Sequence, residues 1–153
     1  MPQTLFIRLA AVAAILIIAG SGALADAGTW APEAATDPNF VAARKAIDAK
    51  EWRKAIDLLN KVRVNGDVHN YLGYAYRHVG NFNEAFHNYK RALEIDPKHR
   101  GAHEYVGEAY LLTINLPKAE EHLAALDRIC SKTCEEYKDL AREISEFKRK
   151  RRS

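Results

Sequence analysis

The residues best suited to chemistry are Cys130 and Cys134, the only two cysteines in the chain. Near a helical turn, a separation of four residues can bring two Cα atoms to about 6 Å, a distance that a disulfide tolerates. We therefore expect a structural disulfide that fixes the angle between two helices. Two alternatives remain open. The pair could exchange disulfides with other thiols, or bind a soft metal such as copper(I) with a nearby histidine.

The six histidines are the second set of candidates, and His99 with His103 has the i, i+4 spacing that can hold a metal. However, His103 and His69 occupy equivalent places in an internal repeat, which indicates packing instead. We therefore predict no metal site and no cofactor. The sequence also contains no nucleophile elbow, phosphate-binding glycine loop or metalloprotease motif, so we do not expect an enzyme.

The N-terminal segment 1–25 has the pattern of a secretory signal peptide. Arg8 precedes an apolar run over 9–20, and Ala23-Leu24-Ala25 offers a small-x-small cleavage site. The alternative is an uncleaved membrane anchor, because 9–25 is close to the lower limit of about 17 residues for a spanning helix. We expect cleavage, a flexible leader over 26–36, and a periplasmic or secreted protein.

The charge distribution argues against nucleic-acid binding. Of the 23 lysines and arginines, one is Arg8 and five form the run 148–152, and the remaining 17 are outnumbered by 20 acidic residues. The body of the protein is therefore slightly acidic. The basic run is favourable at a helix C-terminus, and it could also be attracted to an anionic membrane surface.

From residue 37 onward the chain has helical periodicity and no segment with the pattern of a strand. Proline follows an aspartate twice, and two further pairs have the capping-box spacing. These four motifs predict helix starts at Asp37-Pro38, Asp96-Pro97, Asn81 with Glu84, and Thr133 with Glu136. Periodicity adds starts near Glu51, Asp67 and Asn115. We predict an all-α protein of seven helices, with short connections that make neighbouring helices antiparallel.

The middle of the chain repeats itself with an offset of 34 residues. The offset aligns His69, Leu72, Gly73, Tyr76 and Ala85 with His103, Val106, Gly107, Tyr110 and Ala119. A repeat of this period indicates stacked helical hairpins, each of which buries its apolar face against the next.

These residues resemble the tetratricopeptide repeat. In 66–99 the matching positions are Leu72, Gly73, Tyr76, Ala85, Tyr89, Ala92 and Pro97, with His69 in place of the usual tryptophan. A second copy covers 100–133, and a looser one covers 36–65. Residues 134–153 then form an amphipathic helix with a basic tail, which we expect to cap the third hairpin.

The resemblance implies a short solenoid whose concave face binds a peptide or helix of a partner protein. The positions that would face the partner are Asn70, Tyr74, Arg77, His78, Glu104 and Glu108, and also Phe40 and Arg44. Two glutamates stand where relatives that bind a C-terminal carboxylate have basic residues, so we expect a partner segment of mixed or partly basic character. The alternative is that these are ordinary solvated polar residues. The oligomeric state is left open.

Overall fold

The computed structural model describes residues 35–152, so the predicted signal peptide and most of the predicted leader lie outside the described residues. Within this range all the regular secondary structure is helical. In order, the helices are α1 (Pro38–Asp48), α2 (Trp52–Leu59), α3 (Gly66–His78), α4 (Phe82–Ile95), α5 (Arg100–Leu112), α6 (Leu116–Cys130) and α7 (Glu135–Lys150). The predicted fold class is confirmed. None of the helices described here has the length and apolar character to cross a membrane.

Helices α1 to α6 pack as three antiparallel hairpins, α1–α2, α3–α4 and α5–α6, and α7 covers the last one. The same tight turn closes each hairpin. A residue with left-handed backbone stands at the turn, at Lys50, Gly80 and Ile114. The next residue's N–H then donates to a carbonyl five residues earlier, as in Asn81 to Tyr76 at 2.9 Å and Asn115 to Tyr110 at 2.7 Å. This is the Schellman closure of a helix C-terminus.

Some predicted helix starts are confirmed by their capping contacts. The Asp37 side chain accepts from the Asn39 N–H at 2.7 Å, and Asn81 accepts from Glu84 at 3.3 Å. Asn115 likewise accepts from the Lys118 N–H at 3.3 Å. Each contact satisfies an N–H that has no partner inside the helix.

Two predicted starts are wrong. Asp96 ends α4, and its carboxylate accepts from the Lys98 N–H in the connection between hairpins; α5 begins after His99, whose ring caps it. Thr133 does not cap α7 either, because its hydroxyl donates back to the Cys130 carbonyl at 2.6 Å. In both places the motif stabilises the turn before the helix instead of the helix itself.

The core runs through the stack as side chains from consecutive hairpins. Its largest fully buried members are Tyr89, Leu59, Leu126, Leu140 and Val68. Glycines let the helices approach at two places: a Cβ on Gly73 would lie 2.6 Å from the Tyr89 ring, and one on Gly107 would lie 2.6 Å from Leu140. Helix α7 therefore seals the third hairpin by inserting Leu140 against α5.

Candidate functional site

The candidate site lies between α3 and α5, the first helices of the second and third hairpins. These helices contact each other directly, which aligns their side chains along one face of the stack. Tyr74 and Arg77 project from α3, and Glu104 and Glu108 lie one turn apart on α5. We call this surface the α3–α5 groove.

A buried ion pair joins the two helices at the centre of the groove. The guanidinium of Arg77 lies 2.5 Å from a carboxylate oxygen of Glu108, and the two side chains are only 8% and 13% exposed. The same guanidinium lies 5.1 Å from the centroid of the Tyr74 ring. Among the described residues its Nε has no hydrogen-bond partner. The charge of Arg77 is thus already paired with Glu108, and its side chain is buried within the protein.

Four rings form one contiguous aromatic cluster beside this pair. His78 stacks on Trp52 with centroids 4.1 Å apart, Tyr74 lies 4.5 Å from His78, and Tyr105 lies 4.7 Å from Tyr74. Burial, together with the positive charges of Arg77 and Lys50, lowers the pKa of His78. The cluster therefore presents neutral ring faces and edges at neutral pH.

Glu104 provides a different chemistry at the other side of the groove. It is half-buried, and no described lysine or arginine forms an ion pair with it. Burial, reinforced by the negative charges of Glu108, Asp139 and Glu136, raises the pKa of Glu104 to about 8. The surroundings of Glu104 therefore favour its protonated form in the free protein.

The carboxylates around Glu104 are not equivalent to it. Burial also raises the pKa of Glu108, although Arg77 opposes this. Glu136 lies 3.5 Å from Arg100 and Asp139 lies 2.7 Å from Arg142, so both have a cation beside them. Glu104 is consequently the acidic group of the groove whose charge is least compensated.

A family model described as tetratricopeptide repeat matches residues 66–99. The match covers the α3–α4 hairpin, in which Gly73 meets Tyr89 and Asn81 caps the second helix. Residues 66–99 therefore form a tetratricopeptide repeat. No curated protein matches it closely enough to count as a relative. The family match supports a scaffold for protein–protein interaction as the class of function.

In the α3–α5 groove, some of the predicted partner-binding residues are accessible and others are enclosed by the protein. Tyr74, His78 and Glu104 reach its surface, whereas Arg77 and Glu108 are used by their mutual ion pair. The remaining three lie elsewhere. Asn70 and Phe40 are buried, at 4% and 5% exposed, and the Phe40 ring packs edge-on against Tyr71. Arg44 is exposed, with its guanidinium over the Tyr71 ring. Contact of a partner with Asn70 or Phe40 stays a prediction that their burial does not favour.

Sequence reasoning missed Trp52 and Tyr105, which are half of the aromatic cluster. One available signal was the 34-residue offset, which aligns Tyr105 with Tyr71. In both repeats the tyrosine contacts an aromatic ring of the preceding hairpin, Phe40 for Tyr71 and Tyr74 for Tyr105. For Trp52 no such signal exists, because it comes from the turn end of the least regular copy.

The cysteine pair lies at the junction of α6 and α7, away from the groove. The Cα atoms of Cys130 and Cys134 are 5.8 Å apart and their sulfurs are at disulfide-bonding distance. Cys134 precedes the first residue of α7 and is 8% exposed, packed in a cluster that includes Leu126 and Leu140. This position suits a bond that fixes α7 on the third hairpin.

The histidine pair considered for a metal is engaged by the protein itself. His99 Nδ1 accepts from the Ala102 N–H at 3.2 Å, and its Nε2 lies 3.1 Å from Asp67. Both ring nitrogens of His103 also have partners, the Pro97 carbonyl at 3.1 Å and His122 at 2.9 Å. A metal would have to displace these contacts.

Proposed function

We propose that the chain is a non-catalytic adaptor of the periplasm, which binds a segment of a partner protein in the α3–α5 groove through a basic side chain placed at Glu104. The observation that carries the proposal is the half-buried carboxyl of Glu104, which has no ion-pair partner among the described residues and lies beside the aromatic cluster. The location rests on the signal-peptide pattern of 1–25, and the binding role rests on the repeat match.

The energetic reason is the desolvation of Glu104. Its surroundings disfavour the ionised form, so a lysine or arginine brought against it would supply the charge that the site lacks. Arg77 favours the ionised form of Glu104 less than the surroundings oppose it, because the guanidinium pairs with Glu108 at 2.5 Å. The basic group must therefore come from the partner.

The aromatic cluster adds a second element of recognition for the same ligand. The rings of Tyr74 and Tyr105 already hold the guanidinium of Arg77, at 5.1 and 5.8 Å from their centroids. Trp52 with His78 offers a flat, partly exposed stack for an aromatic or aliphatic side chain of the partner. Rigid aromatic surfaces beside a desolvated charge are typical of the residues that dominate binding energy. We thus expect a short segment that pairs a basic residue with a neighbouring apolar one.

The specificity can be tested with a randomised nine-residue peptide library displayed on phage. We expect the selected peptides to be enriched in lysine or arginine beside an apolar residue. Glu104→Gln should weaken the best peptide at least tenfold at pH 8, about the energy of one charge-assisted hydrogen bond. The control Glu121→Gln, at an exposed glutamate paired with Lys118, should change affinity less than twofold. Enrichment of acidic peptides, or equal affinity for both variants, would refute the proposal.

The natural partner can be sought by photo-crosslinking in cells. A crosslinking amino acid at His78 reports on the exposed side of the aromatic cluster, and one at Lys138 on solvent-facing α7 is the control. We expect capture from His78 only, and Glu104→Gln should reduce it. Equal capture from both positions would show nonspecific contact and would argue against the groove.

A further inference from the structure

The turn of the third hairpin contains an isoleucine where the backbone is left-handed. Ile114 has a φ of 61°, and the same place holds Gly80 in the second hairpin and Lys50 in the first. Glycine adopts this conformation freely, whereas a β-branched side chain is strongly disfavoured there. Ile114 is also 67% exposed. The left-handed backbone and the exposure of the side chain to water both disfavour isoleucine at this position. The stability of the fold therefore does not explain why an isoleucine occurs here.

Ile114 does not stand alone. Leu112 is 61% exposed, and these two are the most exposed of the large apolar side chains described. Next to them, the end of α7 and the start of α6 enclose an open cavity of about 520 Å³. Its apolar lining includes Ile114, Leu116 and Phe147, and its cationic lining consists of Lys148, Arg151 and Arg152. We call these residues with Leu112 the turn–tail patch.

The cations are placed beside the apolar residues by the fold. Helices α5 and α7 run in the same direction, since Arg100 meets Glu136 near their starts and Leu140 packs on Gly107 further along. The basic end of α7 therefore reaches the turn that carries Ile114. The guanidinium of Arg151 lies 5.4 Å from the centroid of the Phe147 ring, and Lys148 forms an ion pair with Glu120.

We propose that the turn–tail patch docks the protein on an anionic phospholipid bilayer. Leu112 and Ile114 would enter the boundary between headgroups and acyl chains, while Arg151 and Arg152 contact lipid phosphates. An exposed apolar tip beside clustered cations is the combination that anionic membrane surfaces bind, because insertion and charge attraction reinforce each other. An otherwise slightly acidic body makes this basic end the side that faces the lipid.

The orientation leaves the α3–α5 groove accessible. Glu104 precedes Leu112 by eight residues on α5, which corresponds to about 12 Å along the helix axis. The groove would therefore lie above the headgroups and open to a partner. The proposal does not depend on the peptide specificity of the groove.

The test reads insertion locally, so that the apolar N-terminal run does not obscure it. A fluorescent amino acid sensitive to polarity replaces Leu112 in the full chain, and the control places it at Val64, which is 55% exposed in another connection. With vesicles of phosphatidylcholine and phosphatidylglycerol, we expect a blue shift and quenching by brominated lipids at position 112 only. A probe at 112 that remains in water would overturn the proposal.

Two variants separate docking from folding. Ile114→Gly should raise the Tm, because glycine suits the left-handed turn, yet it should weaken vesicle binding about fivefold through the lost apolar contact. Arg151→Gln with Arg152→Gln should weaken it about tenfold or more, and Lys50→Gln with Arg53→Gln in the first hairpin should not. A higher Tm with unchanged affinity for Ile114→Gly would leave no role for the apolar tip.

A soluble acidic polymer provides the last discrimination. Polyglutamate could bind the full chain as tightly as vesicles do, with Ile114→Gly changing neither the affinity for polyglutamate nor the affinity for vesicles. In that case the basic end recognises acidic protein segments and the membrane proposal is wrong. We expect polyglutamate to bind weakly and to be insensitive to Ile114→Gly.

Discussion

The Nδ1 atoms of His103 and His122 lie 2.9 Å apart, within the third hairpin. Because His103 Nε2 lies 3.1 Å from the Pro97 carbonyl, that nitrogen carries the proton of the neutral ring, and His103 Nδ1 accepts from His122 Nδ1–H. The second hairpin has the same contact in another form, with His69 Nδ1 2.9 Å from the Asn88 oxygen. Both hairpins thus have a polar pair at equivalent positions, which is histidine with asparagine in the second hairpin and histidine with histidine in the third.

The histidine pair should make the protein sensitive to mild acid. Burial, and then the charge of His103, lowers the pKa of His122 from 6.5 to about 4. A histidine whose folded pKa is depressed contributes stability above pH 6.5 and loses it as the pH falls toward 4. Allowing for partial exposure, we expect a loss of about 2 kcal/mol across that window. Chemical denaturation at a series of pH values measures it.

His122→Asn recreates the pair of the second hairpin and is the matched control. The variant should fold at pH 7 with little change in stability, and its unfolding free energy should fall less between pH 6.5 and pH 4. An unchanged slope would place the acid sensitivity elsewhere in the chain.

Glu104 predicts the opposite pH dependence. Its folded pKa of about 8 lies above the ordinary value of 4.5, so the folded state binds the proton more tightly and loses stability as the pH rises from 4.5 through 8. Glu104→Gln should therefore be more stable than the wild type at pH 9, by about 1 kcal/mol after allowing for solvent screening. Thermal denaturation of both proteins at pH 5 and pH 9 tests the sign.

Binding should release the Glu104 proton. A cation placed beside the carboxyl favours its ionised form, so a basic peptide should bind more tightly as the pH rises toward 8. Calorimetry at pH 7 in two buffers of different ionisation enthalpy should show release of a fraction of a proton, and Glu104→Gln should abolish it. Proton uptake by the wild type would contradict our assignment of the site.

The glycine contacts predict unequal effects of the same substitution. Gly73→Ala places a methyl 2.6 Å from the Tyr89 ring, which is fully buried and cannot move aside. We expect a net loss of about 2 kcal/mol, since overpacking outweighs the gain in helix propensity of about 1 kcal/mol. Gly107→Ala meets the terminal methyls of Leu140, which can rotate, so its loss should be smaller. Urea denaturation of both variants compares them directly, and equal losses would contradict this account.

The sequence predicts the hairpins well because their signals are local. The apolar pattern within each repeat, and the caps at Asp37, Asn81 and Asn115, depend only on residues within the same hairpin. The same locality explains the two errors. An aspartate or threonine can satisfy either a helix N–H or a turn group, and only the tertiary course of the chain decides between them.

The site is less predictable than the fold because its members come from different hairpins. The repeat predicts Tyr74 and His78, but the edge contact of Tyr74 with Trp52 and the stacking of His78 on Trp52 depend on how the first hairpin lies against the second. The pairing of Arg77 with Glu108 likewise depends on the rise from one repeat to the next. Sequence spacing therefore identified candidate positions, whereas burial separated the accessible residues from the enclosed ones.

Replacing both cysteines by serine separates the adaptor from the thiol or copper alternative. A disulfide between Cys130 and Cys134 would close a five-residue loop, so its loss should lower the unfolding free energy by about 2 kcal/mol on the chain-entropy estimate. Peptide binding in the groove should remain within twofold, because the pair lies at the α6–α7 junction. Titration of free thiols in the wild type and denaturation of both proteins measure the first effect. If the double variant keeps its stability and its peptide affinity but no longer supports the cellular process that requires the protein, the cysteines are the functional pair and the adaptor role is secondary.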